Sequence, residues 1–272
     1  SILMITTAIN KDNYGAMMNY FQSRIDYLIA NPEEEQKIKQ LEEKQKLQIC
    51  NRNYYRCGAM KRDLEKAGFN NFISYKNNPD QNKLRDLCLN YLQQFQRDTD
   101  FNKILILYGK AGTGKTYFAL SILKMLSIIQ KQPLTIKSNE KEIVLDNIYM
   151  FYSGKYVTSE DLCNDFYNSD FNTKTTRQYQ IELFKTTEML VIDEIGRGFT
   201  NPNKERNALF SIINYRINNY LPTILCTNLQ ERELAELFGD ALLTRILQVG
   251  IKFCTDGIDN MRLVLKNRNY GA

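Results

Sequence analysis

One stretch of eight residues constrains the fold of this chain more than any other. Residues 109–116 read GKAGTGKT and fit the pattern G-x-x-x-x-G-K-[ST] of a loop that holds the phosphates of a nucleotide. The apolar run at 104–108 predicts a buried strand before this loop, and apolar residues at helical spacing from 117 to 129 predict a helix after it. The order strand, loop, helix therefore predicts a phosphate-binding loop at the start of a helix.

The residue types in this loop suit phosphate chemistry. Glycine lets the backbone turn its N–H groups inward, and the amino end of the following helix adds a partial positive charge. Lys115 is placed to reach the β- and γ-phosphates, and the Thr116 hydroxyl is placed to bind Mg²⁺. We expect ATP to be held by the whole loop: Gly109, Lys110, Ala111, Gly112, Thr113, Gly114, Lys115 and Thr116.

A second apolar strand, at 189–192, leads directly into two acids. Ligands of α/β sheets bind outside the carboxyl ends of the strands, so these acids are expected beside the phosphate loop. Asp193 would hold Mg²⁺ through its water shell, together with Thr116. Glu194 would polarise the attacking water as a general base.

Three later residues are further candidates. Asn228 ends the next apolar strand and could orient the attacking water, although a simple strand-end turn explains it too. Arg245 is the only cation in an apolar helix, which favours a role at the site of a neighbouring subunit over a surface ion pair. Arg262 follows a short loop and could contact the γ-phosphate of its own subunit.

Strand and helix patterns alternate after residue 103, which predicts an α/β fold with a parallel sheet covered by helices on both faces. We expect a hairpin insertion at 131–148, a strand at 149–152 and a loop at 168–178. The residues before this region are helical in pattern, including a helix at 14–30. The sequence thus predicts a small N-terminal helical domain and a larger nucleotide-binding domain, divided as 1–68 and 69–272.

Composition excludes several classes of protein. No run approaches 18 apolar residues and the first residues do not form a signal peptide, so we expect a cytoplasmic protein without membrane contact. The chain has no histidine, which excludes a histidine base. A zinc site would need Cys50, Cys57, Cys88 and one more ligand, and free buried thiols are the alternative for the six cysteines. The net charge of +5 permits nucleic-acid contact.

Taken in order, these motifs resemble the AAA+ ATPases of the bacterial replicative-helicase loader family (DnaC/DnaI type). They also resemble the related IstB-type transposition helper ATPases. The resemblance covers about residues 56–265 and rests on the phosphate loop and on the runs LVIDEIG, TNL and GDALLTRI. The more specific marks are the run at 193–196 and the equal spacing of Asn228, Arg245 and Arg262, each 17 positions after the one before.

The resemblance implies a role for each matching position. Lys115 and Thr116 would form Walker A, Asp193 and Glu194 Walker B, with Asn228 as sensor I, Arg245 as arginine finger and Arg262 as sensor II. It also implies an N-terminal domain that binds the replicative hexameric helicase, and an ATPase domain that self-associates and binds single-stranded DNA. The chain departs from the family in its insertion at 131–148 and in lacking the Cys/His zinc cluster of some loaders.

The implied function is an ATP-dependent helicase loader that uses ATP binding and hydrolysis as a switch in the initiation of DNA replication. An IstB-type helper would instead bind a transposase and double-stranded DNA, so co-purification separates the two. A P-loop small-molecule kinase would need a second substrate cleft, but not Asn228 or a trans-acting Arg245. Candidates for single-stranded DNA contact are basic and aromatic: Lys155, Phe166, Tyr167, Lys174, Arg177, Arg197, Lys204 and Arg206.

Overall fold

The structure is a computed structural model that describes residues 31–72, 78–97, 101, 103–129, 134–138, 141–145, 151–167, 174–197 and 201–261. Contacts between residues divide the chain into two units, Ser1–Ile49 and Cys50–Ala272. The domain boundary proposed between residues 68 and 69 stays a prediction, and the helix expected at 14–30 lies outside the described residues. Within the described part of the chain, no helix has the length and apolar character needed to cross a membrane.

Helices and strands alternate along the second unit. The helices are α1 (Pro32–Tyr55), which continues from the first unit, α2 (Lys61–Lys66), α3 (Pro79–Arg97), α4 (Lys115–Leu126), α5 (Ser159–Tyr167), α6 (Lys174–Thr186), α7 (Pro202–Asn218) and α8 (Glu231–Val249). The strands are β1 (Ile104–Tyr108), β2 (Leu134–Ser138), β3 (Lys141–Leu145), β4 (Gly154–Thr158), β5 (Met189–Ile195), β6 (Thr223–Thr227) and β7 (Gly250–Cys254).

Five of these strands form a parallel sheet in the order β4-β5-β6-β1-β7. Strand β1 lies inside the sheet, where Leu105 pairs with Ile224 of β6 and with Ile251 of β7. Because the strands are parallel, their carboxyl ends all meet at one edge. That edge, called the carboxyl edge below, carries the phosphate loop after β1, the acids of β5 and the residue that follows β6.

Alternate residues of each strand supply two separate apolar cores. Leu105 and Leu107 of β1 pack with α2, α3 and α4 on one face of the sheet. Ile104 and Ile106 of the same strand pack with α5, α7 and α8 on the other face. This period of two is the geometry of a strand buried on both sides. The expected α/β fold, a parallel sheet covered by helices on both faces, is therefore confirmed.

A fully buried arginine joins α6, α7 and β6 on the second face. Arg216 donates from Nε to the hydroxyl of Thr223 at 2.8 Å and from Nη2 to the carbonyl of Pro222 at 2.7 Å. Its Nη1 donates to the carbonyls of Phe184 and Thr187 at 2.9 and 2.8 Å. Burial lowers the pKa of Arg216 to about 9, so the guanidinium is charged at neutral pH. These bonds fix the start of β6 against the helix that precedes β5.

Three sequence predictions for single elements have different outcomes. The hairpin insertion is confirmed as antiparallel β2 and β3, with Leu134 opposite Leu145. The strand expected at 149–152 lies partly outside the described residues, and the strand that the structure describes after it is β4 at Gly154–Thr158, in a run whose glycine and lysine obscured the pattern. The loop expected at 168–178 is wrong from residue 174 onward, where α6 begins with a polar stretch and reaches its buried Phe184 only later.

Candidate active site

The phosphate loop leaves β1 and enters α4 at the carboxyl edge. Gly109, Gly112 and Gly114 have φ values of +121°, +83° and +100°. These values lie in the left-handed region, which glycine adopts without a steric penalty. Gly114 directly precedes α4, so the N–H groups of the first helical turn lie at the loop. The backbone thus has the geometry of an anion-binding turn.

The ammonium group of Lys115 lies against the start of this loop. Its Nζ donates to the carbonyls of Gly109 and Lys110 at 2.7 and 2.6 Å, and the side chain is only 7% exposed. An ammonium has three donors, and charge-assisted bonds to phosphate oxygens are stronger than bonds to neutral carbonyls. Lys115 is therefore positioned to exchange carbonyl contacts for phosphate contacts within the loop.

A segment that follows β7 braces the loop from outside. The Asp256 carboxylate accepts a hydrogen bond from the backbone N–H of Lys110 at 2.7 Å, which lowers the pKa of Asp256. The N–H of Met261 donates to the carbonyl of Gly112 at 2.8 Å. A Cβ atom at Gly112 would come within 2.3 Å of the Asn260 side chain. Sequence reasoning missed these contacts because it did not predict β7, which places the segment beside the loop.

Asp193 and Thr116 meet at the centre of the carboxyl edge. The Thr116 hydroxyl donates to Asp193 Oδ2 at 2.7 Å, and the N–H of Glu194 donates to Oδ1 at 2.7 Å. Asp193 is only 4% exposed. The threonine donates its single proton to the carboxylate and keeps its lone pairs, so two oxygens that can coordinate a cation lie 2.7 Å apart. This donor set fits a hard divalent cation such as Mg²⁺, which prefers few protein oxygens plus water and phosphate.

Glu194 occupies a strained position next to this buried carboxylate. Its φ is +55°, a left-handed value that costs free energy for a residue with a side chain. Its carbonyl accepts from the N–H of Arg197 at 3.1 Å, and the buried Glu205 accepts from the N–H of Gly196 at 2.8 Å. The surrounding bonds thus hold a tight turn that exposes the Glu194 side chain, whose carboxylate lies 3.1 Å from Arg197 Nη1.

Asn228 lies at the same edge, one residue after β6. The preceding Thr227 pairs with Ile195 across the sheet, and its hydroxyl donates to the Ile195 carbonyl at 2.8 Å. This bond ties the end of β6 to the turn that contains Glu194. The exposed Asn228 therefore lies beside the acidic end of β5, and its role in orienting water stays a prediction.

Arg245 lies elsewhere. A kink at Gly239, with φ +67°, divides α8, and the second part of the helix returns toward the start of β7. The guanidinium of Arg245 donates to the side-chain oxygen of Asn218, the last residue of α7. Helix α7 connects the carboxyl end of β5 to the amino end of β6, so Asn218 lies at the edge of the sheet opposite the phosphate loop. Arg262 lies outside the described residues.

Two of the candidates for DNA contact donate hydrogen bonds to backbone carbonyls of the same chain. Arg206 donates from Nε to the carbonyl of Leu237 at 2.6 Å, near the kink in α8. Lys155 donates to the carbonyl of Arg56 at 2.7 Å. The ammonium of Lys204 lies 5.2 Å from the centre of the Tyr167 ring, which keeps a cation and an aromatic face together on the surface. The side chains of Lys174 and Arg177 lie outside the described residues.

The cysteines are all free thiols, with Cys254 exposed and the other five buried. Among the residues that the structure describes, no group of three or more His, Cys, Asp or Glu side chains could hold a metal ion.

No protein-family model matches the chain. Over 156 residues it is 27% identical to the replicative helicase loader DnaI of Bacillus subtilis (strain 168), which covers 54% of this chain and 43% of that protein. Over 160 residues it is 24% identical to the replicative helicase loader DnaC of Escherichia coli (strain K12), which covers 58% of this chain and 56% of that protein. The chain therefore spans about half the length of the curated relatives it matches.

Solved structures show the same fold. The crystal structure of DnaI superimposes with a TM-score of 0.53 at 17% identity, over 72% of this chain and 95% of that one. The DnaC helicase loader gives a TM-score of 0.51 at 21% identity, over 74% and 100%. AMPPCP-bound DnaA from Aquifex aeolicus gives 0.51 at 16% identity, over 76% and 55%.

The likeness to IstB-type helpers stays a prediction. The resemblance to the helicase loaders, inferred from the order of the motifs, is confirmed: the chain is similar in sequence to the DnaC/DnaI-type AAA+ loaders and has their P-loop ATPase fold.

Proposed function

We propose that this protein is an ATP-dependent loader of a replicative DNA helicase. It binds ATP and Mg²⁺ at the carboxyl edge of the sheet and uses ATP binding and hydrolysis as a switch during the initiation of DNA replication in the cytoplasm. The observation that carries the proposal is the 2.7 Å hydrogen bond from the hydroxyl of Thr116, at the end of the phosphate loop, to the carboxylate of Asp193. It occurs in a chain that is similar in sequence to DnaI and DnaC.

Each residue of the site has a chemical task in this proposal. The loop N–H groups and Lys115 bind the β- and γ-phosphates. Thr116 and Asp193 hold Mg²⁺, which when bound offsets the negative charge on the phosphate oxygens. Glu194 takes the proton of the attacking water, and Asn228 orients that water. Asp256 holds the loop backbone at Lys110.

Hydrolysis in this proposal needs more than one subunit. Arg245 lies at the opposite edge of its own sheet, so it would complete the site of a neighbouring copy by neutralising charge in the transition state. The protein would therefore self-associate as an AAA+ oligomer. Arg262 would contact the γ-phosphate in cis.

Two macromolecular partners complete the proposal. The helical segment 1–68 would bind the replicative hexameric helicase. The ATPase domain would bind single-stranded DNA through exposed cationic and aromatic side chains, with Arg197 and the Lys204–Tyr167 pair as the available candidates.

The test uses the full chain with the purified hexameric helicase of the same organism and circular single-stranded DNA. We expect the two proteins to co-elute, and helicase to be transferred to the DNA circle only when the loader and ATP are present. The Lys115→Ala variant is the matched control and should not respond to ATP. Absence of a complex with the helicase, combined with stable binding to a transposase, would replace this proposal with the transposition helper.

A further inference from the structure

Tyr156 of the edge strand β4 contacts both the acidic strand end and the segment that follows α1. Its hydroxyl donates to Asp193 Oδ2 at 2.9 Å. Its backbone N–H donates to the carbonyl of Cys57 at 2.7 Å. Gly58 has a φ of +109°, and a Cβ atom there would lie 2.5 Å from the Tyr156 carbonyl. The turn at 56–59 therefore lies directly on the backbone of the residue that reaches Asp193.

The phenol reaches Asp193 from outside the two nucleotide-binding motifs. Among the described residues, the Thr116 hydroxyl and the N–H of Glu194 also donate to this carboxylate. A tyrosine phenol is protonated at neutral pH, so the Tyr156 hydroxyl can donate its hydrogen to the Asp193 carboxylate.

Removing the Tyr156 hydroxyl should make the orientation of the Asp193 carboxylate less fixed. Oδ2 accepts from both Tyr156 and Thr116, and the Thr116 hydroxyl is itself a candidate ligand. Without the phenol, the orientation of Oδ2 would depend on a hydroxyl that must also face the cation. Outer partners of this kind fix the direction of metal-binding carboxylates, and their loss commonly weakens metal binding about 10- to 100-fold.

We propose that Tyr156 is a positioning residue for the metal-binding carboxylate of Asp193, and that the docked turn at 56–59 keeps Tyr156 in place. The segment that follows the N-terminal helix α1 is thereby linked to Mg²⁺ binding. This inference rests on the proposed function, because it takes Asp193 as the residue that holds Mg²⁺ beside the nucleotide.

The first test is Tyr156→Phe, which removes the hydroxyl and keeps the ring. The affinity for a non-hydrolysable ATP analogue is measured by calorimetry with saturating Mg²⁺ and again with EDTA. We expect the Mg²⁺-dependent gain in affinity to fall about tenfold, while the affinity in EDTA and the unfolding temperature stay close to wild type. Tyr91→Phe is the matched control, since it also removes a phenol bond, at 2.8 Å to the Lys103 carbonyl, far from the acids.

The second test addresses the turn. Gly58→Ala forces the turn away from Tyr156 and should reduce the Mg²⁺-dependent gain in the wild-type background but not in the Tyr156→Phe background. Lys155→Met, which removes the 2.7 Å bond from Lys155 to the Arg56 carbonyl, probes the same turn if the alanine variant does not fold.

Three results would overturn parts of the account separately. If Tyr156→Phe keeps the same Mg²⁺-dependent gain in affinity as the wild type, Tyr156 is not a positioning residue, and the proposed function is unaffected. If Gly58→Ala or Lys155→Met lowers the Mg²⁺-dependent gain in affinity equally in the wild-type and Tyr156→Phe backgrounds, the turn does not act through Tyr156. Wild-type protein that binds the analogue equally well with and without Mg²⁺ would remove the proposed metal site itself.

Discussion

The proposed catalytic centre consists of the nucleotide-binding groups at the carboxyl edge and of Arg245, and within one chain these two parts lie at opposite edges of the sheet. At the carboxyl edge, Lys115 and Asp193 are buried and bonded to neighbouring groups of the same subunit. At the opposite edge, Arg245 is half-buried and its guanidinium rests on Asn218. In the proposed function, a single subunit would therefore bind the nucleotide, whereas Arg245 would act at the site of a neighbouring subunit. Binding and turnover should therefore depend differently on assembly.

A similar contrast exists within the acid pair. Asp193 and Glu194 are adjacent in β5, yet the first is buried with three hydrogen-bond donors and the second is exposed at a strained turn. A buried carboxylate that is oriented by hydrogen-bond donors suits the fixed position of a metal ligand. An exposed carboxylate with one ion pair can approach a water molecule. In the proposed function, Asp193 would therefore hold Mg²⁺, and Glu194 would accept the proton of the attacking water.

The largest effect is expected for Glu194→Gln. Loss of the base should lower the ATP turnover number by about 10²- to 10⁴-fold while ATP affinity stays near wild type. Turnover is followed by phosphate release and affinity by calorimetry. Glu160→Gln, an exposed carboxylate in the first turn of α5, is the control. Normal hydrolysis by the Glu194 variant would exclude this residue as the base.

An intermediate effect is expected for Arg245→Ala. Turnover should fall about tenfold or more at protein concentrations where subunits associate, because a trans-acting charge is lost, and should not change in dilute monomers. Turnover per subunit is measured across a dilution series with the mass of the species determined in parallel. Arg232→Ala, at the exposed start of the same helix, is the control. The same loss in monomers would show that Arg245 acts in cis.

The smallest effect is expected for Arg197→Glu. Affinity for single-stranded DNA should fall several-fold, and the slope of log affinity against log salt should become shallower by about 1, since one phosphate contact is lost. Fluorescence anisotropy at several salt concentrations measures both quantities. Arg85→Glu on α3 reverses a charge elsewhere on the surface and should leave the slope unchanged. An unaltered slope for Arg197→Glu would remove this residue from the DNA surface.

The sequence predicted those parts of the molecule that are continuous in the chain. The phosphate loop and the acids of β5 each occupy a few consecutive residues, so their spacing carries their chemistry. The parallel sheet followed from apolar strands alternating with amphipathic helices. In each case the local pattern and the tertiary structure agree.

Residues that reach the site from distant positions were not predicted. Tyr156 lies 37 positions from the carboxylate it contacts, and Asp256 lies 146 positions from Lys110. Tyr156 lies on β4 and Asp256 lies just after β7. Neither strand was predicted from the sequence at its observed position, because the apolar residues in both strands form only a weak pattern. Glu205 was not singled out from the sequence, and the fold shows it buried, with its carboxylate accepting from the N–H of Gly196. Such roles depend on strand order and register.

Calorimetric titration of the full chain with ATP in the presence of Mg²⁺ shows whether the phosphate loop binds a nucleotide. We expect saturable binding to the wild type at one site per subunit, and an affinity at least about 100-fold weaker for Lys115→Ala, because charge-assisted bonds to two phosphates are lost. If the wild-type protein does not bind ATP, or if the variant binds it as tightly as the wild type, the loop is not the nucleotide site.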